Sequence, residues 1–227
     1  MVCPKNNLQT EYFFKRMIIL AASNHKKCLM NFLAHAYLSF NNDDILVGNV
    51  MGDFVKGNQK NNFPAGIKKG IELHRFIDSF TDVHPVFLRA SKMVKPAVGL
   101  YSGAFVDIMF DYFLANDTHK KTEQEWKDFA QQAYQTLSRQ QRYFPAAFAA
   151  VFPNMRRHDW LYNYRFPESI DGCFRNLVRR AKYLFLSNAD SVMTIFKENI
   201  PQFKNCYNEF FPDLEKEVKE NFSRFAE

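Results

Sequence analysis

The stretch Ile67-Lys-Lys-Gly-Ile-Glu-Leu-His74-Arg75-Phe-Ile-Asp78-Ser-Phe-Thr-Asp82 places polar groups where a helix should be apolar. Wound at about 100° per residue, it predicts one amphipathic helix over 67–82. Lys68, Glu72, Arg75 and Ser79 form a narrow polar strip, and Ile67, Ile71, Leu73, Phe76, Ile77 and Phe80 occupy the rest of the circumference. His74 and Asp78 fall between Ile67 and Ile71, on the apolar side. Burying an imidazole and a carboxylate is costly unless each finds a partner or a metal. The plain alternative is that the two, four residues apart, bond each other.

The anomaly recurs downstream. The run from Pro96 to Asn116 is apolar nearly all the way round, which predicts one central buried helix. It carries Asp107 and Asp111 on one face, and no Lys or Arg lies between Lys95 and Lys120. Two carboxylates on a buried face raise each other's pKa unless a cation arrives from elsewhere, and a divalent metal is the economical cation. Two further segments supply candidates. His35 lies in the apolar stretch after Met30. Asp43-Asp44 read as the N-terminal cap of a helix running through Lys56 and stopping at Gly57, on which Asp53 faces inward beside Leu46 and Val50. Gly48 and Gly52 on that helix would let another helix approach closely. His35, Asp53, His74, Asp78, Asp107 and Asp111 thus make a mixed His/carboxylate cluster drawn from four helices. Such donors suit Mn, Mg, Fe or Zn and do not choose among them.

Composition sets the frame. With 47% hydrophobic residues, 25 Phe and only 8 Gly in 227 residues, and few alternating β-branched runs, the chain reads as all-α with an aromatic-rich core. Cys3, Cys28, Cys173 and Cys206 have no metal-finger or disulfide-framework spacing, which predicts free thiols in a reducing cytoplasm. No unbroken run of 18 apolar residues occurs, so no membrane-spanning helix is expected. Residues 1–29 read as an N-terminal extension outside a helical domain at 30–227, with Met30 as an alternative start. An export signal is disfavoured there because Lys15-Arg16 interrupt the apolar run and no small-residue cleavage site follows.

A net charge of +6 suits an acidic or phosphorylated partner. No RNP motif, finger spacing or basic-region helix supports nucleic acid. Glycine-loop nucleotide motifs and the Gly-x-Ser-x-Gly elbow are absent, so metal-assisted hydrolysis is the chemistry that the residues best allow. His158-Asp159, the one adjacent His-Asp pair, sits among Arg156, Arg157 and Arg165 and reads as a surface pair or substrate-side contact rather than a metal site. Further helices are expected from Thr122 to Arg142, between Pro145 and Pro153, from Ser169 to Leu186, and in two pieces meeting at Pro212.

Met30-Asn-Phe-Leu-Ala-His35, Gly48-Asn-Val-Met-Gly-Asp53-Phe-Val-Lys-Gly57, His74-Arg75-Phe-Ile-Asp78-Ser-Phe-Thr-Asp82, Asp107-Ile-Met-Phe-Asp111-Tyr-Phe-Leu114 and Trp160-Leu-Tyr-Asn-Tyr164-Arg165 closely resemble blocks of the bacterial acyl carrier protein phosphodiesterase family. The resemblance implies a single all-helical domain of the divergent HD-phosphohydrolase type, commonly manganese-supported, acting in fatty acid biosynthesis. The implied reaction hydrolyses the phosphodiester that joins 4′-phosphopantetheine to a serine of holo-acyl carrier protein, leaving the apo protein. The cluster lacks the adjacent His-Asp pair of the general HD pattern, so metal ligands are assigned by position on the inner faces: Asp53, His74, Asp78, Asp107, Asp111 and His35. Arg75 is expected to grip a non-bridging phosphate oxygen in bidentate fashion. His84 is expected to protonate the departing serine oxygen or bind phosphate, and Asp82 to orient His84 or act as a base. Two other readings compete: the same chemistry on a nucleotide or other phosphodiester, and a non-catalytic helical binder of an acidic protein.

Overall fold

The computed structural model describes residues 32–226, which place it wholly in helices, turns and loops with no strand among the described residues. The reading of residues 1–29 as an extension, and those of Cys3 and Cys28, fall outside the described residues; Cys173 and Cys206 are free and buried. The α-helices are α1 (Phe32–Tyr37), α2 (Asp43–Met51), α3 (Ala65–Val83), α4 (Pro85–Val98), α5 (Ser102–Ala115) and α6 (Glu123–Arg139). They continue as α7 (Ala146–Arg157), α8 (Trp160–Asn163), α9 (Pro167–Val178), α10 (Leu186–Glu198), α11 (Ile200–Asn221) and α12 (Ser223–Ala226). The all-α expectation is met.

The site is positioned by α2 and α3, which touch through their backbones. A Cβ at Gly48 would lie 2.0 Å from the Ile67 carbonyl oxygen, and one at Gly70 would lie 2.3 Å from that of Ile45. The facing glycines are therefore the condition for this crossing. Every residue of α2 from Ile45 to Met51 is buried. α5 is nearly as enclosed, walled by rings such as Phe87 to Phe110 at 5.8 Å, Phe110 to Phe210 at 5.4 Å and Phe105 to Phe174 at 5.2 Å.

Five expected boundaries change. The α2 helix ends at Met51 and passes into a 3-10 turn over Gly52–Phe54, where the chain draws close to His74. Its cap is Asn42, whose side chain accepts the Ile45 N–H at 3.1 Å. Asp43 and Asp44 instead reach across to α6, accepting from Thr136, Arg139 and Gln140. The Pro96–Asn116 run divides at Gly99, whose φ of +56° only glycine adopts easily. Helix α9 stops at Val178, well before Leu186, and the next helix starts at Leu186. Pro212 does not split the C-terminal helix. It lies inside α11 on the exposed side, where water can take the carbonyl left without a donor.

Pro85–Ala115 is apolar and long enough by composition to cross a bilayer, at a mean hydropathy of 1.3, although no unbroken apolar run marks it. The glycine corner within it and the burial of 72% of its most apolar window mark it as packed core. Because Gly48 meets backbone rather than a movable side chain, Gly48→Ala should cost about 1–3 kcal/mol by forced helix separation. Gly172→Ala, on a helix with open space around its Cβ, should be neutral or gain about 0.5–1 kcal/mol. Denaturant unfolding of the two variants checks the contrast, and equal stabilities would sink this account of the α2–α3 crossing.

Candidate metal centre

One carboxylate spans two imidazoles at the heart of the molecule. Asp78 Oδ1 lies 3.5 Å from His35 Nε2 and Asp78 Oδ2 lies 3.3 Å from His74 Nε2. The two rings stack at 4.1 Å, and ligand atoms from all three residues fall within 4.8 Å of one another. His35 is 1%, His74 3% and Asp78 9% exposed. Asp53 joins from the 3-10 turn, with Oδ1 3.2 Å from His74 Nε2. Gly52 clears the space for this: a Cβ there would sit 2.3 Å from His74 Cγ.

Asn49 aims both imidazoles. Its Nδ2 donates to the His35 carbonyl at 2.7 Å and to Ser39 Oγ at 3.1 Å, which turns its Oδ1 toward His35 Nδ1 at 2.7 Å. Its backbone carbonyl lies 2.8 Å from His74 Nδ1. Both partners of the Nδ1 atoms are acceptors, so each Nδ1 carries the proton. In each neutral ring that leaves the Nε2 lone pair pointing at Asp78. Outer acceptors holding Nδ1–H while Nε2 faces a shared point is the arrangement of metal-ligating histidines.

The electrostatics ask for a cation. Burial lowers the affinity of His74 for a proton, but the carboxylates of Asp78 and Asp53 outweigh it and raise His74 to about 10. Burial and the neighbouring His74 hold His35 below its ordinary value. His35 Nε2 is buried without a hydrogen-bond partner, facing Asp78 Oδ1 at 3.5 Å. A divalent ion between the two Nε2 atoms and Asp78 would give that orphaned nitrogen a partner and balance the carboxylates. Two imidazole nitrogens and a carboxylate oxygen fit such an ion.

The remaining sequence candidates are not in that close group of three. Asp107 and Asp111 are buried on α5 but are not part of the close group of His35, His74 and Asp78. Asp111 caps α1, accepting the Leu33 N–H at 3.1 Å on Oδ2 and the Ala34 N–H at 2.9 Å on Oδ1. Burial pushes its carboxyl well above the usual range, against the pull of those N–H groups, and Asp107 adds to the rise. Arg75 fastens the loop after Asp53: its Nη2 donates to the carbonyls of Val55 at 3.1 Å and Gly57 at 2.9 Å. Each fork of the guanidinium then has one donor committed, so a phosphate would meet single bonds rather than the expected bidentate grip. Asp82 is half-buried one turn beyond Asp78. His84 lies about 15 Å along α3 from His74. There it caps α4 through Nδ1, faces Asp213 at 3.4 Å and packs on Phe80 and Phe210. His158, exposed, and Asp159, with φ of +42°, border a cleft between α7, α8 and α9 and are not in the cluster.

The residue that sequence reasoning missed is Asn49. An amide at 0% exposure on an otherwise apolar helix is the same kind of anomaly that singled out His74 and Asp78.

Comparison with known proteins completes the description. The profile of the family described as acyl carrier protein phosphodiesterase matches residues 30–214. A protein of that name from Photorhabdus laumondii subsp. laumondii is 28% identical over 195 residues, covering 85% of this chain and 98% of the relative. Another from Pectobacterium atrosepticum is 29% identical, covering 82% and 95%. One from Yersinia pestis is 32% identical, covering 60% and 70%. No solved structure matches the chain. The matched region takes in α1 through α10 and most of α11, and with them His35, Asn49, Asp53, His74 and Asp78; the chain belongs to the acyl carrier protein phosphodiesterase family.

Proposed function

We propose that this chain is a metal-dependent phosphodiesterase of the divergent HD type that acts in the cytoplasm. It hydrolyses the phosphodiester between 4′-phosphopantetheine and the serine of holo-acyl carrier protein, releasing the apo protein. The observation that carries the reading is the orphaned Nε2 of His35, converging with His74 Nε2 on Asp78 in a chain of this family. His35, His74 and Asp78 would hold the ion, with Asp53 beside His74 as a further oxygen donor. Manganese is favoured, in keeping with the family resemblance, over magnesium, iron or zinc. When bound, such an ion supplies Lewis-acid polarisation of a phosphoryl oxygen and a water acidic enough to attack at neutral pH.

The chain's own residues do the rest. Asn49 keeps both imidazoles in the ligating tautomer. Asp111 acts one shell further out, as a positioning residue: it secures the first turn of α1, and so the place of His35. Asp107 would back Asp111 from the preceding turn of α5. Arg75 would offer a remaining N–H to a non-bridging oxygen while holding the Val55–Gly57 loop. Asp82, on the same flank of α3 as Asp78, would serve as the base or order the attacking water. His84 has a lesser place, at the outer end of α3. The basic surface would attract an acidic carrier protein and speed encounter without entering the chemistry.

Mass spectrometry of purified holo-acyl carrier protein incubated with the enzyme should show loss of phosphopantetheine, abolished by chelator and restored by manganese. His35→Ala and Asp78→Ala should each lose bound metal and at least about 100-fold in kcat/KM. Metal content and hydrolysis both indifferent to these substitutions would refute the proposal. Hydrolysis of nucleotide diesters with holo-carrier protein untouched would move the substrate assignment.

Asn49→Leu should keep the ligands yet weaken metal about 10- to 100-fold, measured by competition with a chelating dye. Asp111→Ala should lower stability by about 1–3 kcal/mol, because two buried N–H groups lose their acceptor, and should weaken metal binding in parallel. Raising salt should increase KM for the carrier protein with little change in kcat; a salt-independent KM would remove the electrostatic part of the reading.

A further inference from the structure

The segment joining α9 to α10 reverses the burial pattern of the rest of the chain. Phe185 is 76% and Tyr183 71% exposed, and Leu186 beside them is 47% exposed. Phe185 is the most exposed large hydrophobic residue among those described. Asn188 Nδ2 donates to the Ala97 carbonyl at 2.7 Å, which ties this segment to the α4–α5 corner. That corner carries Leu100, itself 55% exposed. The two exposed apolar segments are therefore neighbours on the surface.

The charges around them have one sign. No acidic residue occurs between Asp171 and Asp190, or between Asp82 and Asp107. Of the cations in the first interval, Arg175 is neutralised by Asp171 and Asp190. Arg179 and Lys182 are exposed, and Lys182 Nζ sits 5.2 Å from the Tyr183 ring centroid. Lys92 and Lys95 are exposed on α4, leading to the corner. Two neighbouring segments thus carry exposed apolar and aromatic residues together with exposed cations and no acid within either interval.

We propose that this face, centred on Tyr183, Phe185, Leu186 and Leu100, docks the protein peripherally on an anionic lipid surface. Tyrosine, phenylalanine and leucine partition into the boundary between head groups and acyl chains, and long cationic side chains reach from there to anionic head groups. A single short loop of this kind gives reversible binding, not insertion. An acidic carrier protein fits less well. Its serine must reach the His35–His74–Asp78 centre, whereas the corner lies beyond Ser102, the start of α5, which is itself about 14 Å along the helix from Asp111, the residue that secures α1. The lipid contact is independent of the reaction at that centre.

Sedimentation of the full chain with vesicles tests it, using phosphatidylglycerol mixed with phosphatidylethanolamine against phosphatidylcholine alone. The wild type should bind the anionic vesicles at least about tenfold more strongly and lose binding as salt rises. Arg179→Glu and Lys182→Glu should each weaken it by about fivefold or more. The double variant Tyr183→Ser/Phe185→Ser should bind about tenfold less with an unchanged melting temperature, because both side chains are already in water. In Phe185→Trp, indole emission should shift to the blue on mixing with the anionic vesicles. Absence of wild-type binding, or undiminished binding by the double variant, would overturn the proposal. So would a loss of affinity for purified holo-acyl carrier protein in the double variant with vesicle binding intact.

Discussion

The arrangement depends on one buried amide. Asn49 bonds α1 through the His35 carbonyl and Ser39, directs the His35 ring with its side-chain oxygen, and directs the His74 ring with its backbone oxygen. It can do so only because α2 lies against α3 with no side chains between them at Gly48 and Gly70. A wider separation would take the Asn49 carbonyl out of reach of His74. Backbone contact between two helices thus becomes the orientation of two imidazoles, and that orientation aims both Nε2 atoms at Asp78.

Charge follows from the same enclosure. Asp53 and Asp78 are held beside His74 in a place nearly closed to water, so they require a positive partner. Asp111 answers its burial differently, by accepting two backbone N–H groups at the start of a helix. Carboxylates on neighbouring core helices therefore have distinct duties: one set faces imidazoles and calls for a cation, and the other builds the support for His35. The outer face is organised on other terms. There, apolar residues stand in water with cations around them, at the α4–α5 corner and the α9–α10 link.

Much of the fold was legible in one dimension. The Ile67–Asp82 pattern marks a helix whose inner face carries His74 and Asp78, and the structure extends it only slightly, to Ala65–Val83. The helix expected from Thr122 is α6, started by a Thr122–Glu125 capping box and burying Trp126, Phe129, Ala130, Ala133 and Leu137. Boundaries were less legible where a local signal had two outcomes. Pro212 is a helix breaker by propensity, yet it is tolerated on the solvent side of α11. Gly99 was lost in an apolar run, although its positive φ turns the chain. Arg180, in a stretch rich in cations, is nonetheless 7% exposed with Nε bonded to the Asn176 carbonyl.

The amino-acid sequence by itself determined which side chains would be buried against their nature, because helical periodicity assigns each residue to a face. His74, Asp78, Asp107 and Asp111 were identifiable in that way, whereas Asp53 was assigned to a helix that ends before it, in a 3-10 turn. Tertiary structure decided which of them meet, because distances between faces depend on how helices cross and on which backbone groups need partners. It brought His35, His74 and Asp78 within reach of one ion and spent Asp111 on the N–H groups of α1. It also gave Asn49 its duty: a polar residue within the apolar run Ile45–Met51 is visible in the sequence, but its partners His35, Ser39 and His74 lie on other segments.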